Sequence, residues 1–360
     1  MSLVRIEVPS QQRRYPVLVG SGALADFPNQ LQAAGLKDVT VVSVPPVWRT
    51  QGHRLAGLAG EAGPVLMPDG ERAKTLQTVS RLYDAFGKRG ISRSSTIVAF
   101  GGGVTGDVAG FAAATYLRGL ALVQIPTTLL AQVDSAVGGK VGVNLPAGKN
   151  LAGAFHSPTL VVCDPDVLKS LRRREFRAGL YEVVKYGVVL SRELFDTVSR
   201  DLRQILRIDS ATLSPLIAQC CKIKAQVVSA DERETGLRRV LNFGHTVGHA
   251  LEAMTDYRRF RHGEAIAYGM LAAAELSTMR GLMPPADRDH LADLIRRMGP
   301  LPPVADLRQT DAHDIMARDK KIADGRLHFV LCAGLGTSAI AADITQQELG
   351  AALGAIGMPA

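Results

Sequence analysis

Five short runs of apolar and β-branched residues, each cut off by proline or glycine or leading into a turn, punctuate the first half of the chain. They are VTVVSV (39–44), stopped by Pro45-Pro46; VLM (65–67), stopped by Pro68-Asp69-Gly70; TIVAF (96–100), running into GGGVTGD; LALVQI (120–125), stopped by Pro126; and LVVC (160–163). Strands without polar alternation are buried on both faces, and stretches of helical composition (71–88, 108–117) lie between them. That combination predicts a parallel sheet covered by helices on both sides, a doubly wound Rossmann-like α/β domain.

The texture changes at RRREFR (172–177), after which helical periods dominate through 179–189, 211–230, 246–254, 264–279 and 286–298. The expectation is an α/β domain over 1–172 and an all-helical domain over 173–360, with a cleft between them to take ligands. No internal repeat or low-complexity segment is evident. Met270, Met279 and the alanines of LAAAEL read as helix core.

Composition excludes several classes of function. Charged residues make up 21% and hydrophobic residues 46% of the 360, which is not the balance of a disordered chain. No apolar run reaches the ~18 residues of a membrane span, and the N-terminal MSLVRIEVPS lacks the apolar core of a signal peptide. A cytoplasmic protein is expected. The net charge of +8 comes from scattered basic residues, and with 5% aromatics there is no stacking platform for nucleic acid. Cys163, Cys220, Cys221 and Cys332 show no CxxC spacing and suit reduced, buried thiols.

Three sets of residues can carry chemistry. The first is the cluster GGGVTGD (101–107), placed between a strand and a helix, where glycines let backbone N–H groups approach a phosphate. It satisfies G-x-G-x-x-G through Gly101, Gly103 and Gly106, but Pro126-Thr127-Thr128 stands where the dinucleotide fingerprint expects an acid. The same glycines also suit a tight turn, with Asp107 as an ordinary helix-start residue. The second set is His245 and His249, four apart and so on one helix face, with His262 in RHGEA and Glu182 in GLYEVVKYG. Such donors suit a catalytic zinc with an open position, or equally hydrogen-bonded surface histidines. The third comprises Lys140, Lys149, Lys185, Lys224 and Lys320-Lys321; each lysine taken singly suits a solvated side chain better than an anion pocket, but together with Arg118, Arg238 and Asn242 they could hold a substrate bearing carboxylate and phosphate.

Longer strings make the pattern specific. DGERAKT (69–75), GGGVTGDVAGF (101–111), IPTTLLAQVDSAVGGKVGVN (125–144), GKNLAGAFH (148–156), GLYEVVKYG (179–187), DERETGLRRVLNFGHTVGHALE (231–252) and HGEAIAYGM (262–270) occur in one order. In these the chain resembles the 3-dehydroquinate synthase family of sugar-phosphate cyclases. The resemblance implies a homodimeric lyase of the shikimate pathway of aromatic amino acid biosynthesis, dependent on NAD and on zinc or cobalt. It would convert 3-deoxy-D-arabino-heptulosonate 7-phosphate into 3-dehydroquinate and phosphate.

Carried over position by position, the resemblance implies Glu182, His245 and His262 as metal ligands. For NAD it implies Asp69, Gly70, Glu71, Lys74, Gly102, Gly103, Asp107, Thr127, Thr128, Lys140, Lys149, Val167 and Ser170. For substrate it implies Asp134, Lys140, Asn150, Lys185, Lys224, Arg238, Asn242, His249 as proton relay, and the Lys320-Lys321 pair. Arg118 resembles an arginine that reaches the phosphate in the neighbouring protomer's site. Departures are Ser43-Val44-Pro45-Pro46 where an acid or amide often holds the adenosine ribose, and Tyr181, Val141 and Val167 in place of alanine, threonine and phenylalanine. Alternatives are another sugar-phosphate cyclase, whose substrate lacks the carboxylate, a metal-dependent polyol dehydrogenase, or a non-catalytic nucleotide-binding protein.

Overall fold

The computed structural model describes residues 3–234, 236–322 and 328–360, with side chains of 318–322 outside the description. The chain forms two compact units, Met1–Arg172 with Ile208–Glu232 and Arg173–Arg207 with Arg233–Ala360. This differs from the single cut expected at 172. The helix Ser210–Ala230, which composition alone assigns to the helical half, folds with the first unit, packing on its sheet edge.

In the first unit the strands are β1 (Val4–Pro9), β2 (Arg14–Val19), β3 (Lys37–Ser43), β4 (Val65–Leu66), β5 (Ser95–Gly101), β6 (Ala121–Pro126), β7 (Lys140–Leu145), β8 (Gly148–Phe155) and β9 (Leu160–Cys163). Seven form one sheet in the order β1-β2-β9-β6-β5-β3-β4. All neighbours are parallel except the β1–β2 hairpin at the edge. All seven residues of β5 are buried, as an apolar run at the centre of a two-sided sheet must be. β1 instead alternates, with Ile6 and Val8 inward and Arg5 and Glu7 outward.

The helix Leu76–Lys88 is capped by Thr75, whose hydroxyl accepts from Thr78 N–H at 3.2 Å. It lays Val79, Leu82 and Phe86 on a core shared with Val42, Ile97, Val108 and Leu122. Burial of each such side chain contributes about 1.5–3 kcal/mol. The helix Gly103–Thr115 lies close to β7: a Cβ on Gly110 would fall 2.5 Å from Val141 Cγ1. Val141 is buried, so its departure from the family's threonine is accommodated as apolar packing over a glycine.

The second unit is mainly helical but not all-helical: among the described residues it also carries the hairpin of β10 (Phe329–Cys332) and β11 (Ser338–Ala341). Met270 is core, but Met279 ends its helix 43% exposed, against expectation. Glycines bring three helices unusually close. A Cβ on Gly269 would lie 1.8 Å from Gly244 O, and one on Gly263 1.9 Å from Ala178 O. The helices His245–Met254 and His262–Met279 therefore cross backbone to backbone, and Arg173–Leu190 closes on the second of them. Gly269→Ala is expected to destabilise the protein by about 1–3 kcal/mol or more through overpacking, read as a lowered midpoint in chemical denaturation. Among the described residues no helix is long and apolar enough to cross a membrane.

Candidate active site

In the first unit, β5 and β6 run side by side, with Gly101 opposite Pro126 and Thr127 N–H donating to Gly101 O at 2.9 Å. The glycine turn and Thr127-Thr128 thus share the carboxyl edge of the sheet, where open α/β sheets take ligands. Gly102 is the extended N-cap of the helix that starts at Gly103. A Cβ on Gly102 would crowd Thr128 Cγ2 at 3.1 Å, and one on Gly103 would crowd Ser135 Oγ at 3.0 Å. Thr127 Oγ1 is buried and has no hydrogen-bond partner. A bare helix N-terminus, a turn stripped of side chains and an orphaned hydroxyl fit a dinucleotide phosphate.

The neighbouring loop is tied to this edge. Lys74 Nζ pairs with Asp107 Oδ2 at 2.5 Å, and burial pushes the Asp107 carboxyl up, with Lys74 opposing. Asn144, which lies within the matching strings but outside the residues the resemblance implies, links two candidates. Its Nδ2 donates to Glu71 Oε1 at 2.8 Å, and its Oδ1 accepts from Asn150 N–H at 2.9 Å. Asn150 sits at φ 57°, a left-handed position that asparagine tolerates. Asp69 Oδ1 accepts from Gly70 N–H at 2.8 Å. Ser170 Oγ donates to Val167 O at 3.0 Å, and Val167 itself is buried.

The π-helical turn Ala131–Ser135 carries Asp134, whose backbone O and Oδ1 accept from Lys224 Nζ at 2.5 and 2.6 Å. Lys224 is therefore a buried, paired lysine rather than a solvated one. Lys140 opens β7 exposed, and Lys149 is half-buried. Arg118 is not brought to this cluster. It is exposed beyond the far end of Gly103–Thr115, about 20 Å along the helix from the glycine turn.

In the second unit, helix starts place the donors. Gly244, at φ 77°, is the left-handed N-cap that makes His245 the first residue of its helix. His262 begins the next helix because Glu264 at N3 accepts from Arg261 N–H at 2.8 Å, and Arg174 grips Glu264 with two 2.7 Å bonds. Glu182 comes from the middle of Arg173–Leu190, fully buried.

One donor atom each from Glu182, His245 and His262 lies within 4.8 Å of the others. His262 Nε2 and His245 Nε2 stand 3.7 and 3.9 Å from Glu182 Oε1, beyond hydrogen-bond range. Ligand atoms about 2.0–2.2 Å from a tetrahedral ion lie roughly 3.3–3.6 Å apart, so the spacing suits a cation between them. Glu182 Oε1 is buried and has no hydrogen-bond partner, while Oε2 accepts from Lys185 Nζ. Burial, then Lys185, His249 and His262, hold His245 well below its usual range, which keeps its imidazole neutral, the ligand form.

His249 is exposed one turn on, its ring 5.3 Å from that of His245 and 5.9 Å from that of His262. Asn242 Nδ2 donates to Glu234 Oε1 at 2.8 Å, and Arg238 is buried on the turn Leu237–Asn242. The side chains of Lys320 and Lys321 lie outside the described residues. Glu252, unremarked in the sequence, forms a second donor group with His249 and His262. Its three-residue spacing from His249, which puts the two side chains on one helix face, is the one local signal that could have singled it out.

The family models described as 3-dehydroquinate synthase N-terminal and C-terminal match residues 64–178 and 179–322. A 3-dehydroquinate synthase from Acaryochloris marina is 43% identical over 366 residues, covering 98% of each chain. One from Pelotomaculum thermopropionicum is 44% identical, covering 93% of this chain and 92% of its own. Among solved structures, a 2-epi-5-epi-valiolone synthase from Streptomyces hygroscopicus with NAD+ and Zn2+ bound superposes with TM-score 0.87 at 29% identity, covering 98% of this chain and 99% of that one. A 2-deoxy-scyllo-inosose synthase complexed with carbaglucose-6-phosphate, NAD+ and Co2+ gives 0.84 at 30%, covering 93% and 94%. A maleylacetate reductase from Agrobacterium tumefaciens, at 17% identity, TM-score 0.65 and coverage of 98% and 97%, shares the fold alone.

Proposed function

We propose the following division of labour for this chain, which belongs to the 3-dehydroquinate synthase family: Glu182, His245 and His262 hold a divalent zinc or cobalt ion, and the glycine turn holds NAD. The activity is the family's, conversion of 3-deoxy-D-arabino-heptulosonate 7-phosphate to 3-dehydroquinate and phosphate. Higher identity to 3-dehydroquinate synthases than to the two other cyclases favours this substrate over theirs. The observation that carries the metal assignment is the buried, unpartnered Glu182 Oε1 facing two imidazole nitrogens.

A carbon-bound proton beside a secondary alcohol is too weakly acidic to leave, whereas beside a ketone it is acidic enough for phosphate to depart by β-elimination. When bound, the cation supplies Lewis acidity at that alcohol and NAD a hydride acceptor that returns the hydride after elimination. Ring opening and an intramolecular aldol closure complete the carbocycle. His249, exposed beside the ligand imidazoles, relays the hydroxyl proton at its imidazole nitrogen. Lys140, Asn150, Lys185, Lys224, Arg238, Asn242 and the Lys320-Lys321 pair bind and orient a substrate of charge about −3. Asp134 fixes Lys224, and Asp69, Glu71, Lys74, Asp107, Lys149, Val167 and Ser170 line the cofactor side.

The exposed Arg118, remote from its own chain's glycine turn, supports a homodimer in which it serves the neighbouring protomer's phosphate. Four buried free cysteines suit a reducing, cytoplasmic setting. The test is phosphate release from the heptulosonate phosphate, with and without a metal chelator. Release is expected without net NADH, and is abolished by the chelator. Steady NADH accumulation would instead indicate a dehydrogenase, and chelator-insensitive release would remove the metal.

A further inference from the structure

The two imidazoles that face Glu182 are held from behind in different ways. His245 Nδ1 is 3.1 Å from Phe243 O, a neutral backbone carbonyl. His262 Nδ1 is 3.3 Å from Glu252 Oε2, a carboxylate whose side chain is 7% exposed. In both rings the tautomer that donates from Nδ1 leaves Nε2, 3.9 Å (His245) or 3.7 Å (His262) from Glu182 Oε1, as the unprotonated nitrogen. Glu252 belongs to the His249 helix and His262 starts the next, so one carboxylate spans the crossing that the glycines at 244 and 269 make close.

We infer that Glu252 is a positioning residue of the metal centre, accepting the Nδ1 proton of His262 to fix that ring's tautomer and orientation and to make it the more basic of the two imidazole ligands. The inference rests on the metal reading above but goes further, since Glu252 is not among the residues carried over by resemblance. A carboxylate behind a ligand imidazole raises its donor strength, and losing such a partner typically weakens metal binding about 10–100-fold. Glu252 also brings a second buried negative charge to a centre with one ligand carboxylate and the Lys185 ammonium. This favours retention of a dication over an empty site.

The test is a competition titration of Zn2+ and Co2+ against a chromophoric chelator, using the full-length wild type, Glu252→Gln and Glu252→Ala, with visible spectra of the Co2+ forms. Wild type is expected to take up one ion per chain. Glu252→Gln keeps an acceptor but loses the charge. It should bind roughly tenfold more weakly and Glu252→Ala up to about a hundredfold, both with shifted Co2+ bands. Equal affinity and identical spectra in wild type and Glu252→Gln overturn the inference alone. Two ions in wild type, falling to one in Glu252→Gln, also overturn it, by making Glu252 a ligand of a second site with His249. Wild type taking up no ion overturns it together with the reading it rests on. A measurement on wild type needs no variant: 15N resonances of the metal-loaded protein should show His262 protonated at Nδ1, and an unprotonated Nδ1 overturns the proposal.

Discussion

His245→Ala loses its metal and more than about a hundredfold in kcat, while the protein still folds. Losing a supporting residue behind a ligand already costs about 10–100-fold in affinity or activity, and removing the ligand itself exceeds that. The remaining donors are one carboxylate and one imidazole, too few for a closed hold on zinc. The fold survives because the ring sits at the first turn of its helix with a side chain 14% exposed, and Gly244 still makes the helix start. Metal content after gel filtration, phosphate release and circular dichroism together check this. A folded variant that keeps one ion and full turnover removes His245 from the ligand set.

Lys185→Met destabilises the metal-free protein more than any surface change would. Lys185 and Glu182 are one turn apart on Arg173–Leu190, with side chains 2% and 1% exposed, and they pair directly. Taking away one partner of a buried pair leaves an uncompensated charge, at a cost of about 3–5 kcal/mol. For a unit of this size that lowers the melting temperature on the order of 10 °C. Added zinc should recover much of the loss, because a dication on Glu182 replaces the missing positive charge. Turnover should not recover with it, since Lys185 is also assigned to substrate. Calorimetric scans with and without zinc read the first effect; an unchanged melting point in metal-free protein would mean that the pair carries no stability.

Of the five strands legible in the sequence, β3, β5, β6 and β9 spell their burial as largely apolar runs, whereas β4 is marked by the Pro68-Asp69-Gly70 stop after it and leaves Leu66 exposed. The β1–β2 edge was not legible, since VRIEVP alternates and RYPVLV carries a proline that demotes a strand to an edge. The β7–β8 hairpin was hidden by glycine. Gly142 and Gly153 pair face to face because a Cβ on either would strike the opposite backbone, at 2.7 and 2.5 Å. Propensity therefore argued against strands where packing demanded them.

For the metal centre, a four-residue spacing linked His245 to His249, but nothing local links either to Glu182, which arrives from another helix. Residue type alone proposed it as a donor and only the resemblance made it a ligand, and the crossing of glycine-bearing helices is the physical reason it arrives. Glu252 went unnoticed because HALE reads as ordinary helix, and its meaning depends on where His262 lies.

The excursion of the chain through residues 173–207 before it supplies Ser210–Ala230 has a consequence for dissection. A gene fragment stopping at Arg172 would yield a sheet whose edge strands have lost their covering helix and an Asp134 deprived of Lys224. Neither half can be obtained by one truncation. A dinucleotide-binding piece must be built as a permuted or spliced polypeptide, with 208–232 joined back on by a linker.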